Sequence, residues 1–397
     1  MATHAVIAGV GMIPFKKPGQ SGSYTEMGLQ ATLRALEDAG LAYGLVQQAY
    51  VGYVYGDSTC GQAALYQAGM TGIPVINVNN NCSTGSTALF LARQAVESGA
   101  VDCALALGFE FMQPGALKGK WDDRESPIDR FTALAEPLVR DGIAADVPRT
   151  LKLFGGAGRE HMQKYGTRLE TFAKIRAKAS RHAANNPLAV FREVVSAEDV
   201  MNEKMMVPGL MTRSMACPPT CGAAAAIVCT EAFARKHGIR TDVRILAQSM
   251  TTDLPASFEP PSMISLVGFD MAARAASQIY EQAGIGPEDI QVCELHDCFA
   301  QNELLSYESI GFAKPGEAQK MVEDGDNTYG GKVVINPSGG LLSKGHPLGT
   351  TGLAQCYELT RQLRGTAGPT QVEGARLALQ HNLGLGGACV MTLYGHA

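Results

Sequence analysis

The stretch Pro74-Val75-Ile76-Asn77-Val78-Asn79-Asn80-Asn81-Cys82-Ser83-Thr84-Gly85-Ser86-Thr87-Ala88-Leu89 carries the reading of the whole chain. An apolar run at 74–78 is expected to be a strand. Three asparagines and a cysteine follow it, and then a helix-forming run, Leu89-Phe90-Leu91-Ala92-Arg93-Gln94-Ala95. Cys82 is thus placed at a helix N-terminus, where free backbone N–H groups and the helix dipole favour a thiolate. A thiolate attacks carbonyl carbon, so Cys82 is a candidate for covalent chemistry.

Outward from this stretch, strands and helices alternate. Strands are expected at 4–11, 48–54, 74–78 and 103–108, and helices at 26–39, 61–68 and 86–97. In the first helix Leu29, Leu33 and Leu36 are expected to share the buried face. The helix at 86–97 has few polar side chains and is expected to be buried on most sides. Composition shifts between about 119 and 211. Charges cluster there in Lys120-Trp121-Asp122-Asp123-Arg124-Glu125, and helices are expected near 158–165 and 168–182. The second carries Arg168, Lys174, Arg176, Lys178, Arg181 and His182, which make either a solvated basic face or a phosphate-binding one. Alternation resumes at 222–228 and a strand at 243–248. A second round follows: helix Phe269–Ala283, strand 290–295, helix 303–310, extended chain at 333–336, helix 349–363, and strands 377–382 and 389–393. Two comparable halves around an insertion imply a layered α/β fold with an internal duplication.

Bulk composition narrows the classes. With 397 residues, 46% of them hydrophobic, the chain is long enough for a large core. Charged residues at 18% and 45 glycines argue for ordered loops over disorder. A net charge of −5 gives no footprint for nucleic acid. The 10 cysteines contain no paired metal-ligand array, since Cys217 and Cys221 have no second pair, and several lie in apolar runs. They read as free thiols in a reducing compartment, with no metal site. Residues 1–10 read as an opening strand, no run reaches membrane-spanning length, and Leu393-Tyr394-Gly395-His396-Ala397 holds no sorting tripeptide. A cytoplasmic location without membrane insertion is expected, a peroxisomal or mitochondrial origin remaining open.

Four segments set a reactive side chain beside an apolar strand or a glycine-rich turn, where the ends of parallel strands assemble sites. They are Asn81-Cys82-Ser83, Glu294-Leu295-His296-Asp297-Cys298-Phe299, Ser343-Lys344-Gly345-His346-Pro347-Leu348-Gly349 and His381-Asn382-Leu383-Gly384-Leu385-Gly386-Gly387-Ala388. Together with Tyr53-Val54-Tyr55-Gly56-Asp57-Ser58-Thr59-Cys60-Gly61 and Asn336-Pro337-Ser338-Gly339-Gly340, they resemble the thiolase superfamily over residues 4 to 394. Within it the branch they are most similar to is the thiolase part of sterol carrier protein x.

The resemblance implies an α/β thiolase fold: a duplicated five-layer αβαβα arrangement with an inserted loop domain. On it, 1–118 and 212–262 form the N-terminal half, 119–211 the CoA-binding lid, and 263–397 the C-terminal half. It implies a homodimer or a dimer of dimers, CoA and acyl-CoA as substrates, and no cofactor. Cys82 takes the acyl group. His346 abstracts its proton, and His296 organises an oxyanion site with His346. Cys298 is the second acid/base thiol, because the Cys-x-Gly turn of many thiolases reads Gly384-Leu385-Gly386 here. The N–H groups of Cys82 and Gly386 form a second oxyanion hole. Asp297 orients loops, and Cys389 packs in a strand. Arg176, Lys178, His182, Ser338 and Gly339 are expected to contact CoA. Where the branch has an aspartate, this chain has Cys221, in Cys217-Pro218-Pro219-Thr220-Cys221-Gly222. That residue is expected to buttress loops near the site.

The implied reaction is thiolytic cleavage of a 3-ketoacyl-CoA, releasing acetyl-CoA or, from a 2-methyl-branched substrate, propanoyl-CoA. The rival readings are a retro-aldolase or a ketoacyl-synthase-like condensing enzyme on CoA thioesters, and a non-catalytic lipid or acyl-CoA binding protein. The second acid/base thiol argues against the synthase. No separate lipid-carrier domain is expected within these 397 residues.

Overall fold

The computed structural model describes residues 5–114, 121, 123–140 and 142–396. Lys120 and Asp122 of the charged cluster lie outside them. Ten strands build the main sheet: β1 (Val6–Met12), β2 (Gln48–Gly52), β3 (Val75–Val78), β4 (Cys103–Glu110), β5 (Gly222–Cys229), β6 (Val243–Thr251), β7 (Val292–Glu294), β8 (Val334–Ile335), β9 (Leu377–Gly384) and β10 (Ala388–His396). Their order is β8-β7-β9-β10-β6-β1-β5-β4-β2-β3. The halves meet where Val6 pairs with Arg244.

That order is one pattern used twice. In the first half β2 lies parallel to β3 and β4, and β5 runs antiparallel to β4 and β1. In the second half β7 lies parallel to β8 and β9, and β10 runs antiparallel to β9 and β6. Each strand of the second half takes the place of the strand five earlier, which is the duplication expected from the alternation.

The helices that bear on the layers and the site are α1 (Tyr24–Ala39), α2 (Thr84–Glu97), α3 (Arg149–Tyr165), α4 (Leu169–Ala184), α5 (Phe269–Ala283), α6 (Ala300–Ile310) and α7 (Thr351–Leu363). Helix α1 packs outside β1 and β5, and α5 packs outside β6 and β10. Helices α2 and α7 lie back to back between the two halves. The middle core joins Ala88, Leu89, Ala92, Leu353 and Leu359 to the strand residues Ala104, Ala224, Val292 and Ala378. Burial on both sides explains why α2 shows so few polar side chains. The insertion contributes α3 and α4, which pack on α6 of the second half.

Helix α1 departs from its expected face. Ser23 caps it through a reciprocal pair with Glu26, and Gly40 closes it at φ 63°. Its buried residues are Met27, Gly28, Ala31, Thr32, Ala35, Leu36 and Ala39, whereas Leu33 is 49% exposed. Glycines beneath the helix decide this. A Cβ on Gly9 would lie 2.3 Å from the Ala35 carbonyl oxygen, and one on Gly11 2.3 Å from that of Ala31. The backbones approach so closely there that Ala31, Ala35 and Ala39 lie over the glycines, and of the three expected leucines only Leu36 is buried.

Candidate active site

Strand β3 delivers the chain to a tight polar turn before α2. Asn81 there has φ 51°, a left-handed conformation that asparagine tolerates. The Asn80 N–H donates to Thr84 Oγ1 at 2.8 Å, and Asn80 Nδ2 donates to Thr87 Oγ1 at 3.1 Å. These bonds fix Cys82 two residues ahead of the first helical residue, with its side chain half-buried. His346 arrives on the loop before α7. Gly345 at φ 117° turns that loop, and Pro219 forms a bridge to His346. His296 and Cys298 follow β7 directly, and both are buried.

The three segments converge. Cys82 Sγ and one ring nitrogen each of His296 and His346 lie within 4.8 Å of one another. The two rings meet edge to face, with centroids 5.0 Å apart and planes at 82°.

Hydrogen bonds behind the rings assign their protons. Thr351 Oγ1 donates to the Pro347 carbonyl at 3.0 Å and lies 2.7 Å from His346 Nδ1. With its own hydrogen committed, the hydroxyl accepts from Nδ1–H, and His346 Nε2 keeps a bare lone pair. That Nε2 is buried and has no hydrogen-bond partner. His296 is the reverse. Asn382 Nδ2 donates to its Nδ1 at 3.0 Å, while Ser86 Oγ donates to Asn382 Oδ1 at 2.8 Å and accepts from Gln380 Nε2 at 2.7 Å. With Nδ1 accepting, Nε2 of His296 carries the proton. One histidine therefore offers a lone pair and the other an N–H.

Burial sets the charge state. It pushes the Cys82 thiol up to about 12, with the Glu110 carboxylate adding to the rise and backbone groups of Cys82 and Leu385 opposing it. It draws His346 down to about 3. His296 falls well below the usual imidazole range, first through burial and then through His346 and His381. The expectation that the helix end favours a resting thiolate is corrected: burial outweighs it, and the site rests as neutral thiol and neutral imidazoles. Cys298 is likewise pushed up by burial, and next by Cys217 and Cys82.

Sulfur and two imidazole nitrogens at this spacing can also suit a soft cation. However, the assigned tautomers leave lone pairs on Cys82 and His346 only, short of the three or four ligands of a zinc site.

The turn that carries Gly386 (φ 101°) is tied to the nucleophile turn, because Asn81 Nδ2 donates to the Leu385 carbonyl at 2.9 Å. Asp297 accepts from the Leu341 N–H at 2.7 Å and from the Leu342 N–H at 3.3 Å, fixing the segment ahead of His346. Cys221 is buried, and its Sγ donates to the Met112 carbonyl at 3.3 Å. Cys389 is buried in β10, opposite Leu383 and Thr251.

The five residues expected at CoA are corrected by their burial. Arg176 donates to Ser343 Oγ at 2.7 Å. Lys178 pairs with Glu303. His182 bonds the Asn336 carbonyl at 2.9 Å and Thr328 Oγ1 at 2.8 Å. Ser338 donates through Oγ and N–H to the Glu294 carboxylate, and a Cβ on Gly339 would meet Ala183 at 2.5 Å. Both readings of the helix as a solvated or phosphate-binding face fail for these three basic residues: Lys178 neutralises Glu303, and Arg176 and His182 bond neutral groups inside the protein. Of the basic set, Arg168 and Arg181 are exposed and Lys174 is half-buried.

Four residues at the site were not singled out from the sequence. Asn382 and Thr351 set the tautomers. Glu110 is buried at the end of β4 and accepts N–H bonds from Val54 (3.1 Å), Tyr55 (2.9 Å) and Gly349 (2.8 Å), joining two site loops. An acid within the apolar run 105–112 was the available signal. Cys217 lies on the chain segment opposite Cys298, and no sequence spacing reveals that pairing.

Comparison with known proteins agrees with this architecture. Residues 5–232 match the thiolase N-terminal domain, and residues 260–393 match the thiolase C-terminal domain-like family. Sterol carrier protein 2 of Homo sapiens is 55% identical over 392 residues, which cover 98% of this chain and 71% of that protein. The benzoylsuccinyl-CoA thiolase subunit BbsB of Thauera aromatica is 35% identical over 96% of this chain and 94% of its own. The solved Ltp2-ChsH2(DUF35) aldolase shares the fold with a TM-score of 0.83 at 22% identity, covering 99% and 98% of the two chains. The chain belongs to the thiolase family.

Proposed function

We propose that this acyltransferase cleaves 3-ketoacyl-CoA with CoA. The observation that carries the reading is the convergence of Cys82, His296 and His346, with a lone pair on His346 Nε2 and a proton on His296 Nε2. His346 takes the thiol proton as Cys82 attacks the keto carbon. The tetrahedral oxyanion is received by the N–H groups of Cys82 and Gly386. The Cα–Cβ bond then breaks, and its electron pair leaves as the enolate of acetyl-CoA. His296 Nε2–H and protonated His346 stabilise that enolate, and Cys298 protonates its carbon. Cys298, now a thiolate, takes the proton of an incoming CoA, whose sulfur attacks the acyl-Cys82 thioester; Cys82 leaves as a thiolate and takes back the proton held by His346. The products are acetyl-CoA and a shortened acyl-CoA. Every step reverses as a Claisen condensation, because both acyl forms are thioesters of similar energy.

A neutral resting site suits this sequence. Charge appears only when substrate is present, and it appears in a buried space where fixed donors act strongly. A 2-methyl-branched substrate would release propanoyl-CoA in place of acetyl-CoA. The assembly proposed is a homodimer or a dimer of dimers. Edge strand β3 has half-buried residues throughout and no partner on its outer side among the described residues. No described helix is long and apolar enough to cross a membrane.

The test is CoA-dependent cleavage of acetoacetyl-CoA beside a longer, 2-methyl-branched 3-ketoacyl-CoA, followed by loss of enolate absorbance and by product mass. Cleavage of either supports thiolysis, and the preferred substrate sets the chain class. Folded protein that binds CoA and cleaves neither refutes the reading.

A further inference from the structure

Three thiols, not two, gather at the site, and the mechanism above gives Cys217 no step. Ala216 pairs with Phe299 in a short antiparallel bridge, and the Cys217 N–H donates to the Cys298 carbonyl at 2.9 Å. Ala216 and Phe299 are both extended. Continuing that register by one residue sets Cys217 directly opposite Cys298. Opposed residues of such a pair send their side chains to the same face. Their Cα atoms lie about 5.5 Å apart when hydrogen-bonded, inside the roughly 4.4–6.8 Å that a disulfide spans. Cys82 sits on a different turn, outside this bridge, although both thiols lie within its electrostatic reach. All three thiols are free in the structure. Cys217 and Cys82 are both half-buried and Cys298 is buried, so of the facing pair an oxidant entering the site meets Cys217 first.

We propose that Cys217 and Cys298 are an oxidation site that closes to a reversible disulfide and leaves Cys82 free. Hydrogen peroxide serves as oxidant. The Cys217 sulfur attacks one peroxide oxygen, the O–O bond breaks, and a sulfenic acid and one water result. The Cys298 sulfur displaces the sulfenic hydroxyl, which leaves as a second water with the Cys298 proton. Two thiols and one peroxide thus give one disulfide and two waters. On the thiolase reading, from which this consequence follows, the disulfide removes the thiol that protonates the enolate and activates CoA. Acylation of Cys82 continues while thiolysis stops.

The experiment treats the full chain with a few equivalents of hydrogen peroxide, blocks the remaining thiols under denaturing conditions and maps the peptides by mass. The expected product is a cross-linked peptide pair holding Cys217 and Cys298, with Cys82 recovered as a blocked thiol. Thiolysis falls more than tenfold and returns with dithiothreitol, while acyl transfer from acyl-CoA to Cys82 stays within twofold. In Cys217→Ser both the cross-link and the dithiothreitol-reversible loss disappear. A cross-link that includes Cys82, or oxidation of Cys82 without any cross-link, overturns the proposal. So does a Cys217→Ser protein that still loses thiolysis reversibly. The peptide map needs no activity, so a chain that cleaved no ketoacyl-CoA would refute the thiolase reading and still decide the pairing.

Discussion

Replacing Asn382 by aspartate inverts one hydrogen bond without changing the size of the side chain. Asn382 is fully buried and donates to His296 Nδ1 at 3.0 Å, and its Oδ1 is held by Ser86 at 2.8 Å. An aspartate puts an acceptor where the donor was. The imidazole answers by moving its proton to Nδ1, and Nε2 then turns a lone pair toward the enolate oxygen. Loss of one such donor costs about 2.7–4 kcal/mol, a factor of about 10²–10³ in kcat. A wrong tautomer has cost another enzyme's catalytic histidine about 10⁴. For Asn382→Asp a fall in kcat of at least about 10²-fold is expected on this scale, with KM moving much less. Steady-state cleavage of acetoacetyl-CoA measures the loss, and ¹⁵N NMR of labelled histidine reads the tautomer. Activity should recover partly at lower pH, where a protonated aspartic acid can donate again. A variant whose ring has switched tautomer but whose kcat stays within threefold refutes the role given to His296. A ring that has not switched refutes the hydrogen-bond assignment itself.

Other expectations follow from the same geometry. Cys82→Ala should form no acyl-enzyme, and normal labelling by acyl-CoA would sink the nucleophile assignment. Cys298→Ala should slow thiolysis greatly and leave some acylation by simple thioesters; turnover at the parent rate would move the acid/base role elsewhere, with Cys217 the nearest thiol across the bridge. Glu110, raised by burial to about 7, is mostly ionised at pH 8 and mostly protonated at pH 6. Its charge opposes the Cys82 thiolate, so Glu110→Gln should speed iodoacetamide alkylation of Cys82 at pH 8, with the gap closing at pH 6; a variant no faster at pH 8 contradicts this. Lys178→Met leaves Glu303 buried without its cation, which should destabilise the fold by about 3–5 kcal/mol in urea unfolding. An unchanged midpoint would show that the pair is dispensable.

Much of the fold is legible where period and punctuation agree. Helix Phe269–Ala283 emerges with its expected bounds, and the alternation of elements foreshadows the duplicated strand order. Reading fails where contact distance overrides hydrophobicity. Leu33 looks like a core residue, yet Gly9 and Gly11 bring α1 so close that Ala31, Ala35 and Ala39 are buried instead. The basic helix misleads for a related reason. Its charges suggest a phosphate surface, but the buried Glu303 needs a cation inside the protein and takes Lys178 from this helix. At the site, residue types are readable and their mutual geometry is not. Nothing in the spacing of Cys82, His296 and His346 tells which nitrogen carries a proton. That is settled by Asn382, Ser86 and Thr351, three neutral residues on elements far apart in sequence.

Helices α2 and α7 meet through glycines. A Cβ on Gly85 would lie 2.8 Å from the Gly349 carbonyl oxygen, and one on Gly352 would lie 2.1 Å from Ser86 Oγ. Each helix therefore forms part of the other's wall. During synthesis α2 is complete at residue 97 and its partner begins at residue 351. At about 5–20 residues per second, the roughly 250 residues between them take some tens of seconds to emerge. For that interval one flank of α2 lacks its cover, and Cys82 has neither histidine beside it. The newborn first half is thus a chain with an open apolar groove and a thiol that lacks its catalytic partners. The catalytic assembly of Cys82 with His296 and His346 appears only when the second half docks, so an unfinished or half-folded chain has no complete site.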